Sequence, residues 1–376
     1  MIYYVGAYRT KNIEDREPQG SAAEDAKIAY IISVIKSLGQ KVGVVSVLAS
    51  LKQGFHRRKV CKVDKLETQV FLESYDETRR GLSKIGVLQR LMALFFYLLF
   101  NVKRTDTVLV YNTQLYSVPV RLAKWFKRFK MVLEVEEIFY MDERNPADVK
   151  RKPLEEALIH AADAYVTASA LLAQRIAGNK PYAVVYGGYT IPPKHADRLD
   201  DNKIHVVYAG GIDSLRRVDR AVRAFEFLPE QYRFHILGFG STEDIKKLNA
   251  DINEVNTKAG IKKVEYVGCL SGKEYDEYPQ KCHIGLNMQS IGAPIETVAF
   301  PSKISSYMSR GLDVVSGSLE SILHSPLAEG ITFYQDNSEQ SIARAILMCK
   351  RHTCDEQIEL IKKVEKEFVE EFQKIV

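Results

Sequence analysis

Short runs of β-forming apolar residues alternate with segments of helical period along almost the whole chain. Because parallel strands need a crossover connection, usually a helix, this alternation predicts an α/β fold of doubly wound parallel sheets. The predicted strands are residues 2–5, 42–48, 107–111, 131–135, 164–167, 183–186, 204–208, 233–237, 264–267, 284–287 and 313–316. The predicted helices include residues 26–38, 118–129, 217–227, 243–254, 273–281 and 303–309.

A polar segment marked by two prolines, residues 191–202, interrupts the alternation once. The chain has 376 residues, which is more than one ordinary domain holds, so two domains are expected. We predict one Rossmann-like domain at residues 1–190 and a second at 203–356, facing each other across a cleft. The charged helix at residues 357–376 is expected to pack back on the first domain. Ligands of such domains bind at the carboxyl ends of the strands.

The second predicted domain opens with a strand, a glycine pair and two arginines. Gly210 and Gly211 end the strand, and Arg216 and Arg217 stand at the start of the next helix. The run matches neither GxGxxG nor the GxxxxGK[ST] phosphate loop. Since the helix macrodipole is already positive at this end, a basic residue here suggests that Arg216 neutralises an anion such as phosphate. A solvated arginine pair is the alternative.

A second candidate phosphate site follows at residues 300–316. Pro301 and Ser302 are expected to cap a helix whose backbone N–H groups face the anion, and Lys303 would add a positive charge. The alternative is a surface lysine on a capped helix.

Taken in order, these motifs resemble the retaining GT-B glycosyltransferases of family 4, of the bacterial polysaccharide-assembly type. Gly210-Gly211 falls on the family's Gly-Arg, and residues 216–219 fall on its Lys-Gly-Val-Asp. Residues 235–241, with Gly238, resemble the second strand and glycine turn, and residues 264–271 the loop near the nucleotide base. Residues 300–316 resemble the family's Pro-Ser-Lys run, so the resemblance covers most of the chain.

The resemblance implies an enzyme that transfers a sugar, with retention, from a UDP- or GDP-sugar to a glycan or lipid-linked oligosaccharide in cell-surface polysaccharide biosynthesis. It implies no other cofactor, and no Asp-x-Asp metal pair stands out. Two family donor contacts are replaced, since the arginine is Gly211 and the second glutamate is Ser306. Glu296 is the candidate for a displaced carboxylate. These departures leave open a catalytically inactive partner or scaffold of an assembly complex, and a nucleotide-sugar epimerase remains a further alternative.

The first domain contributes two more candidates. Gly20 lies where the family keeps a glycine-rich loop, and glycine permits close approach of the backbone to a ligand. Residues 134–137 resemble the family's acidic strand end, and their side chains are expected to face the cleft. Glu137 could orient acceptor hydroxyls or act as a base; helix capping or ion pairing is the alternative. Glu137 and Glu296 are therefore the candidate catalytic carboxylates.

Charge is unevenly distributed along the chain. Residues 41–130 contain 18 Lys and Arg against 6 Asp and Glu, which suits phosphates or an anionic membrane surface. The apolar run 91–100 is too short to span a bilayer, but basic residues flank it. We therefore expect peripheral association with the inner face of a membrane, with a buried helix as the alternative.

Two further features bear on the cellular location and the partners of the protein. Five cysteines at irregular spacings read as reduced thiols, and no secretory signal is recognised, so a cytoplasmic location is expected. Nucleic-acid binding is not expected because no recognition motif accompanies the basic residues.

Overall fold

The computed structural model describes residues 1–9, 22–50, 52–76, 82–142, 145–193, 196–213, 216–289, 291 and 298–376. The chain divides into two compact units. Unit 1 comprises residues 1–188 and 367–376, and unit 2 comprises residues 189–366. Both units alternate strands with helices, as the sequence predicts.

Unit 1 is built on a largely parallel sheet. Its strands are β1 (Ile2–Gly6), β2 (Val42–Ser46), β3 (Gly54–His56), β4 (Lys59–Lys62), β5 (Glu67–Phe71), β6 (Ser74–Asp76), β7 (Thr107–Tyr111), β8 (Lys130–Val135), β9 (Ala164–Thr167) and β10 (Tyr182–Val184). Its helices are α1 (Ala22–Ser37), α2 (Leu82–Asn101), α3 (Ser117–Lys127), α4 (Pro146–Lys150), α5 (Lys152–Ala161) and α6 (Ala170–Ile176). Among the described residues the main sheet has the order β10-β9-β8-β7-β1-β2-β5-β4, and β3 pairs separately with β6.

The sheet of unit 1 is not wholly parallel, which corrects the prediction. Strand β4 pairs antiparallel with β5 at the sheet edge. A tight turn joins the two strands, and in it the carboxylate of Asp64 accepts hydrogen bonds from the backbone N–H groups of Leu66 and Glu67. Such a short turn reverses the chain, and only an antiparallel pair can follow it.

Unit 2 contains a parallel sheet of order β13-β12-β11-β14-β15-β16. Its strands are β11 (Ile204–Gly211), β12 (Tyr232–Phe239), β13 (Val264–Gly268), β14 (Ile284–Asn287), β15 (Asp313–Gly317) and β16 (Ile331–Tyr334). Its helices are α7 (Val218–Ala224), α8 (Thr242–Ala259), α9 (Gly272–Glu277), α10 (Ser302–Met308), α11 (Glu320–Leu323), α12 (Glu339–Leu347) and α13 (Cys354–Ile375), the last of which ends in unit 1.

The central strands of unit 2 are buried on both faces. Val206, Val207 and Tyr208 of β11 are fully buried, which is expected of a strand with helices on either side. Phe225 and Phe234 stack with ring centroids 4.7 Å apart and join the end of α7 to β12. The continuous apolar runs recognised in the sequence are therefore central strands.

Several helix ends differ from the prediction. Helix α9 ends at Glu277 and not at residue 281, because Pro279 has no backbone N–H group to continue the helical hydrogen-bond ladder, and a 3-10 turn, Pro279–Lys281, follows. Helix α7 begins at Val218, one residue later than predicted, since Arg217 adopts a left-handed conformation with φ of 51°.

A chain of hydrogen-bonded histidines crosses the sheet of unit 2 near the start of β11. His205 Nδ1 lies 2.7 Å from His235 Nε2, and His235 Nδ1 lies 2.7 Å from Glu265 Oε1. The ring of His283 stacks on that of His205, with Nδ1 of His283 accepting the backbone N–H of His205. Burial lowers the pKa of His235, and it lowers the pKa of His283 to about 4.

Because of these histidines, we expect the protein to be less stable in mild acid. Between about pH 6.5 and about pH 4 the unfolded chain binds a proton at residue 283 that the folded chain rejects, so the free energy of unfolding falls as the pH falls. Because His283 is half-buried, we expect on the order of 1 kcal/mol from it. His283→Asn keeps a hydrogen-bond acceptor at this position. In thermal melts, the melting temperature of this variant should fall less over this pH range than that of the wild type.

The matched control is His324→Asn, since the side chain of His324 is 62% exposed. Parallel pH profiles for wild type and His283→Asn would contradict the assignment.

Candidate functional site

The carboxyl ends of β11 and β12 in unit 2 carry glycines with positive φ, Gly210 at 158° and Gly238 at 155°. A Cβ atom on Gly238 of β12 would lie 1.8 Å from the carbonyl oxygen of Gly210. Any side chain at residue 238 would therefore push the two strand ends apart. Glycine at this position is a steric requirement of the packing, and it leaves backbone atoms accessible at the strand end.

Lys303, on α10, crosses the glycine pair. A Cβ atom on Gly210 would lie 2.4 Å from its Cε and 2.8 Å from its Nζ, so the lysine stem occupies the space that residue 210 leaves empty. Its ammonium lies 5.5 Å from the centre of the Tyr208 ring and has no hydrogen bond or ion pair to any described residue. Burial, with the neighbouring Arg216 charge, lowers the pKa of Lys303 to about 8.

Arg216 brings a second positive charge to the same strand end. Its Nη1 would lie 3.2 Å from a Cβ atom on Gly211, so the guanidinium fills the position of the side chain that residue 211 lacks. Asp213 pairs with this guanidinium and also accepts the backbone N–H of Arg216 at 2.9 Å. The side chain of Arg216 is 45% exposed and therefore accessible to a ligand. The structure thus brings Gly210, Gly211, Gly238, Arg216 and Lys303 together.

The predicted capping of α10 by Ser302 is wrong. Pro301 is the N-cap residue, no side chain in the described part of the chain caps the helix, and Ser302 is its exposed first residue. Proline at the N-cap removes a backbone N–H group and sets the direction in which the chain enters the helix. The contribution of α10 to the site is therefore the side chain of Lys303.

Ser306 lies one turn after Lys303 on α10. Its hydroxyl accepts a hydrogen bond of 2.7 Å from Nη1 of Arg310, and Arg310 also pairs with Asp276 at 3.0 Å. At the position where the family resemblance implies a glutamate, the chain therefore has Ser306, whose hydroxyl is hydrogen-bonded to the guanidinium of Arg310. Arg310 is a residue that the sequence analysis missed; it lies in the turn after α10, and its spacing of four from Ser306 was the signal for it.

In unit 1 the acidic residues at the end of β8 do not all lie where the sequence predicts. Glu134 does not face solvent: its side chain is fully buried and accepts a hydrogen bond from the Tyr4 hydroxyl. Strand side chains alternate between faces, and this one points into the protein interior. Burial raises the pKa of Glu134 to about 7, although the Lys27 charge opposes the shift.

Glu136 and Glu137 follow the strand and are partly buried. Glu136 forms an ion pair of 2.7 Å with the buried ammonium of Lys27, which also donates to the carbonyl of Val185 at 3.2 Å. The carbonyl of Glu137 accepts from Nδ2 of Asn112 at 3.3 Å. The ends of β8 and β7 are therefore tied together beside Glu137.

Glu155 organises this segment and was also missed in the sequence. Its carboxylate is fully buried on α5 and accepts four hydrogen bonds. The donors are Nδ2 of Asn112 at 2.8 Å, Nε2 of Gln114 at 3.0 Å and the backbone N–H groups of Phe139 and Tyr140 at 3.0 and 3.2 Å. An acid beside the apolar positions 158 and 159 on one helix face was the signal available.

Two predicted site residues, Gly20 and Glu296, lie outside the described residues. Within the described ranges, no group of three or more His, Cys, Asp or Glu side chains is placed to hold a metal ion.

Solved structures with the same fold were found by comparison. Anabaena HepE in complex with UDP superposes with a TM-score of 0.62 at 12% identity, covering 100% of this chain and 98% of HepE. A trehalose-6-phosphate synthase, studied for glycosyl transfer with retention, gives 0.64 at 12% identity, covering 98% and 95%. The lipopolysaccharide outer core galactosyltransferase WaaB gives 0.64 at 16% identity, covering 100% and 98%.

These neighbours are two-domain GT-B glycosyltransferases, and the α/β, GT-B fold class predicted from the sequence is confirmed. No protein-family model matches the sequence. A search of curated proteins found no match either.

Proposed function

We propose that the protein is a retaining glycosyltransferase that uses a nucleotide-diphosphate sugar as donor and a glycan or lipid-linked oligosaccharide as acceptor, in cell-surface polysaccharide biosynthesis. The observation that carries the proposal is the ammonium of Lys303, which lies against Gly210 and forms no hydrogen bond or ion pair with any described residue. Together with Arg216 it concentrates two positive charges at the carboxyl end of β11, the usual ligand end of a parallel strand.

The pKa of Lys303 supports an anionic ligand. Because its environment lowers that pKa to about 8, the ammonium gains by the arrival of a diphosphate, which would replace the lost solvation with negative charge. The guanidinium of Arg216 would bind one phosphate oxygen and would lose part of its ion pair with Asp213. During transfer the same two cations would stabilise the charge that develops on the leaving nucleotide diphosphate.

The nucleotide proposed is a uridine nucleotide, because HepE, of the same fold, binds UDP. Retention is proposed on the resemblance to family 4 and on the trehalose-6-phosphate synthase studied for that stereochemistry. Glu137 in unit 1 is the proposed group for orienting the acceptor, since the hydrogen bonds through Asn112 and Glu155 fix the segment that carries it. The lipid-linked acceptor rests on the family resemblance and on WaaB, which is a lipopolysaccharide galactosyltransferase.

UDP should raise the melting temperature of the wild-type protein, because a ligand that binds only the folded state stabilises it by mass action. We expect Arg216→Ala to weaken UDP binding by roughly tenfold, the range of one charge-assisted hydrogen bond. Isothermal titration with UDP, GDP and their sugars measures this change and identifies the donor class. Lys258→Ala, which removes an exposed lysine of α8, is the control and should leave the affinity unchanged.

The replacement of a carboxylate by Ser306 favours one alternative, a GT-B protein that binds a nucleotide but does not transfer sugar. Its signature would be UDP binding with no hydrolysis of any UDP-sugar in the presence or absence of an acceptor. If no nucleotide tested binds, both the glycosyltransferase and the nucleotide-binding protein without transferase activity would be contradicted.

A further inference from the structure

The outer faces of α2 and α3 in unit 1 expose large apolar side chains. The inner face of α2 is buried, and Leu94 and Leu98 are fully covered. Its outer face carries an apolar stripe at spacings of three and four residues, with members 43–76% exposed: Ile85, Leu88, Met92, Phe96 and Phe100. On α3, the exposed apolar side chains are Val118, Leu122, Trp125 and Phe126. We call this surface the α2–α3 face.

Aromatic rings join the two helices into one continuous surface. Phe100 stacks on Phe96 with centroids 6.1 Å apart, and Phe96 contacts Phe95 at 5.2 Å. Phe95 then meets Phe126 across the helix pair at 6.3 Å, and Phe126 meets Trp125 at 4.6 Å. Trp125 is 72% exposed. Such a contiguous apolar patch is unusual on a protein that is surrounded by water alone.

Positive charge borders the aromatic residues. A groove beside Trp125 is lined by Arg104, Arg121, Arg128 and Lys130, and by Lys124, which pairs with Asp163. No carboxylate of the described residues forms an ion pair with Arg104 or Arg121. The face therefore combines an apolar centre, a tryptophan and a basic border, which is the composition of surfaces that lie in the headgroup region of anionic membranes.

The geometry favours lying on a bilayer over crossing it. The segment Ser83–Asn101 of α2 has the length and mean hydropathy of a membrane-crossing helix. Crossing would require Leu94 and Leu98 to leave the core of unit 1, whereas docking uses only side chains that are already exposed. A second copy of the chain would bring the same basic border against itself, and like charges there oppose pairing.

We propose that the α2–α3 face docks unit 1 on the surface of a bilayer that contains anionic lipids, with Trp125, Phe126 and Phe100 at the level of the headgroups. This inference goes beyond the proposed function and does not depend on the nucleotide site. It provides a physical means for the protein to reach an acceptor that is itself held in a membrane.

The chain contains a single tryptophan, Trp125, so its intrinsic fluorescence reports directly on this face. We expect vesicles of phosphatidylcholine and phosphatidylglycerol to shift the emission of the full-length protein to shorter wavelength and to protect it from acrylamide quenching. Vesicles of phosphatidylcholine alone should have a much smaller effect, and added salt should weaken binding. An emission spectrum that anionic vesicles leave unchanged would overturn the proposal.

Two double variants separate the apolar and electrostatic parts. Phe100→Ser with Phe126→Ser, and Arg104→Glu with Arg121→Glu, should each weaken partition into anionic vesicles by roughly tenfold or more. The matched control is Phe227→Ser with Lys246→Glu, which changes exposed residues of unit 2 and should partition like the wild type. Equal loss in the control would overturn the proposal.

The test distinguishes membrane docking from self-association. If a second copy covers the face, the emission without lipid should shift to shorter wavelength as the protein concentration rises. In Phe100→Ser the dimer should then dissociate and the shift should disappear. This result would overturn the proposal. UDP titration of the same variants should match the wild type, so failure of docking and failure of the proposed function are separate results.

Discussion

Lys303→Met is expected to lower kcat/KM for the sugar donor by about a hundredfold to a thousandfold. Loss of one preorganised group that stabilises developing negative charge typically costs about 2.7–4 kcal/mol in the transition state. The methionine keeps the apolar stem that fills the space over Gly210, so packing is preserved. Steady-state kinetics with saturating acceptor, paired with the UDP affinity, measure how the loss divides between binding and transfer.

The stability of Lys303→Met distinguishes a functional from a structural lysine. Burial holds the pKa of Lys303 at about 8, below its unfolded value of 10.5, so folding with the charged lysine is disfavoured below pH 8. Removing the charge should therefore leave the melting temperature at pH 7 unchanged or raise it. Between about pH 8 and about pH 10.5 the unfolded chain keeps the Lys303 proton that the folded chain releases, so the free energy of unfolding of the wild type should rise with pH. Lys303→Met should lack this rise.

The pH dependence of activity follows from the same group. Donor binding by the wild type should weaken above about pH 8, where Lys303 loses its charge, and Lys303→Arg should move that decline to higher pH. Lys273→Met removes a lysine that is 85% exposed and is the control. If Lys303→Met retained full activity, or lost activity only in step with stability, the assigned role would be refuted.

Glu155→Ala is expected to lower the free energy of unfolding of unit 1 by about 3–5 kcal/mol. The substitution removes the acceptor of four hydrogen bonds, two of them from the buried side chains of Asn112 and Gln114, and each unsatisfied buried group costs about 1–3 kcal/mol before the structure relaxes. Urea denaturation followed by circular dichroism measures the change. Glu156→Ala, at the adjacent and partly exposed position, removes an ion pair of 3.6 Å with Lys152 and should cost less than about 0.5 kcal/mol.

Glu155→Gln tests whether this residue also positions the segment that carries Glu137. Glutamine keeps one acceptor oxygen but places an NH₂ group opposite the donors of Phe139 or Tyr140. We expect KM for the acceptor to rise severalfold while the affinity for UDP, whose proposed site is in unit 2, stays the same. Equal effects on donor and acceptor would argue that Glu155 acts through stability alone.

The strands of the central sheets could be predicted because burial on both faces leaves a strong signal in the sequence. Residues 206–208 and 284–286 carry no polar or charged side chain apart from the Tyr208 hydroxyl, and the structure places β11 and β14 there. The edge of the unit 1 sheet could not be predicted in the same way. Strand β4 alternates exposed and half-buried residues and reverses at Asp64, so its pairing depends on one turn carboxylate and not on hydrophobicity.

The candidate site was predictable where its residues are close along the chain. Gly210, Gly211 and Arg216 belong to one strand–turn–helix segment, and their proximity follows from the local geometry. That Lys303 crosses Gly210 could not be read from spacing, because it depends on the packing of α10 against a strand some ninety residues earlier. Glu155 was missed for the same reason, since its donors are 15 to 43 residues away in sequence.

Helix α13 begins in unit 2 and ends in unit 1, and this has a consequence for the order in which the protein can be made. Phe368 and Phe372 are buried, Phe368 stacks on Tyr30 at 6.1 Å, and Glu371 accepts the backbone N–H of Val184 at 3.2 Å. Although residues 1–188 leave the ribosome first, the hydrophobic surface that Phe368 and Phe372 cover stays bare until all of unit 2 has been translated. The unit synthesised first is therefore the unit completed last, and unit 2 can fold while its neighbour still waits for its final helix turns.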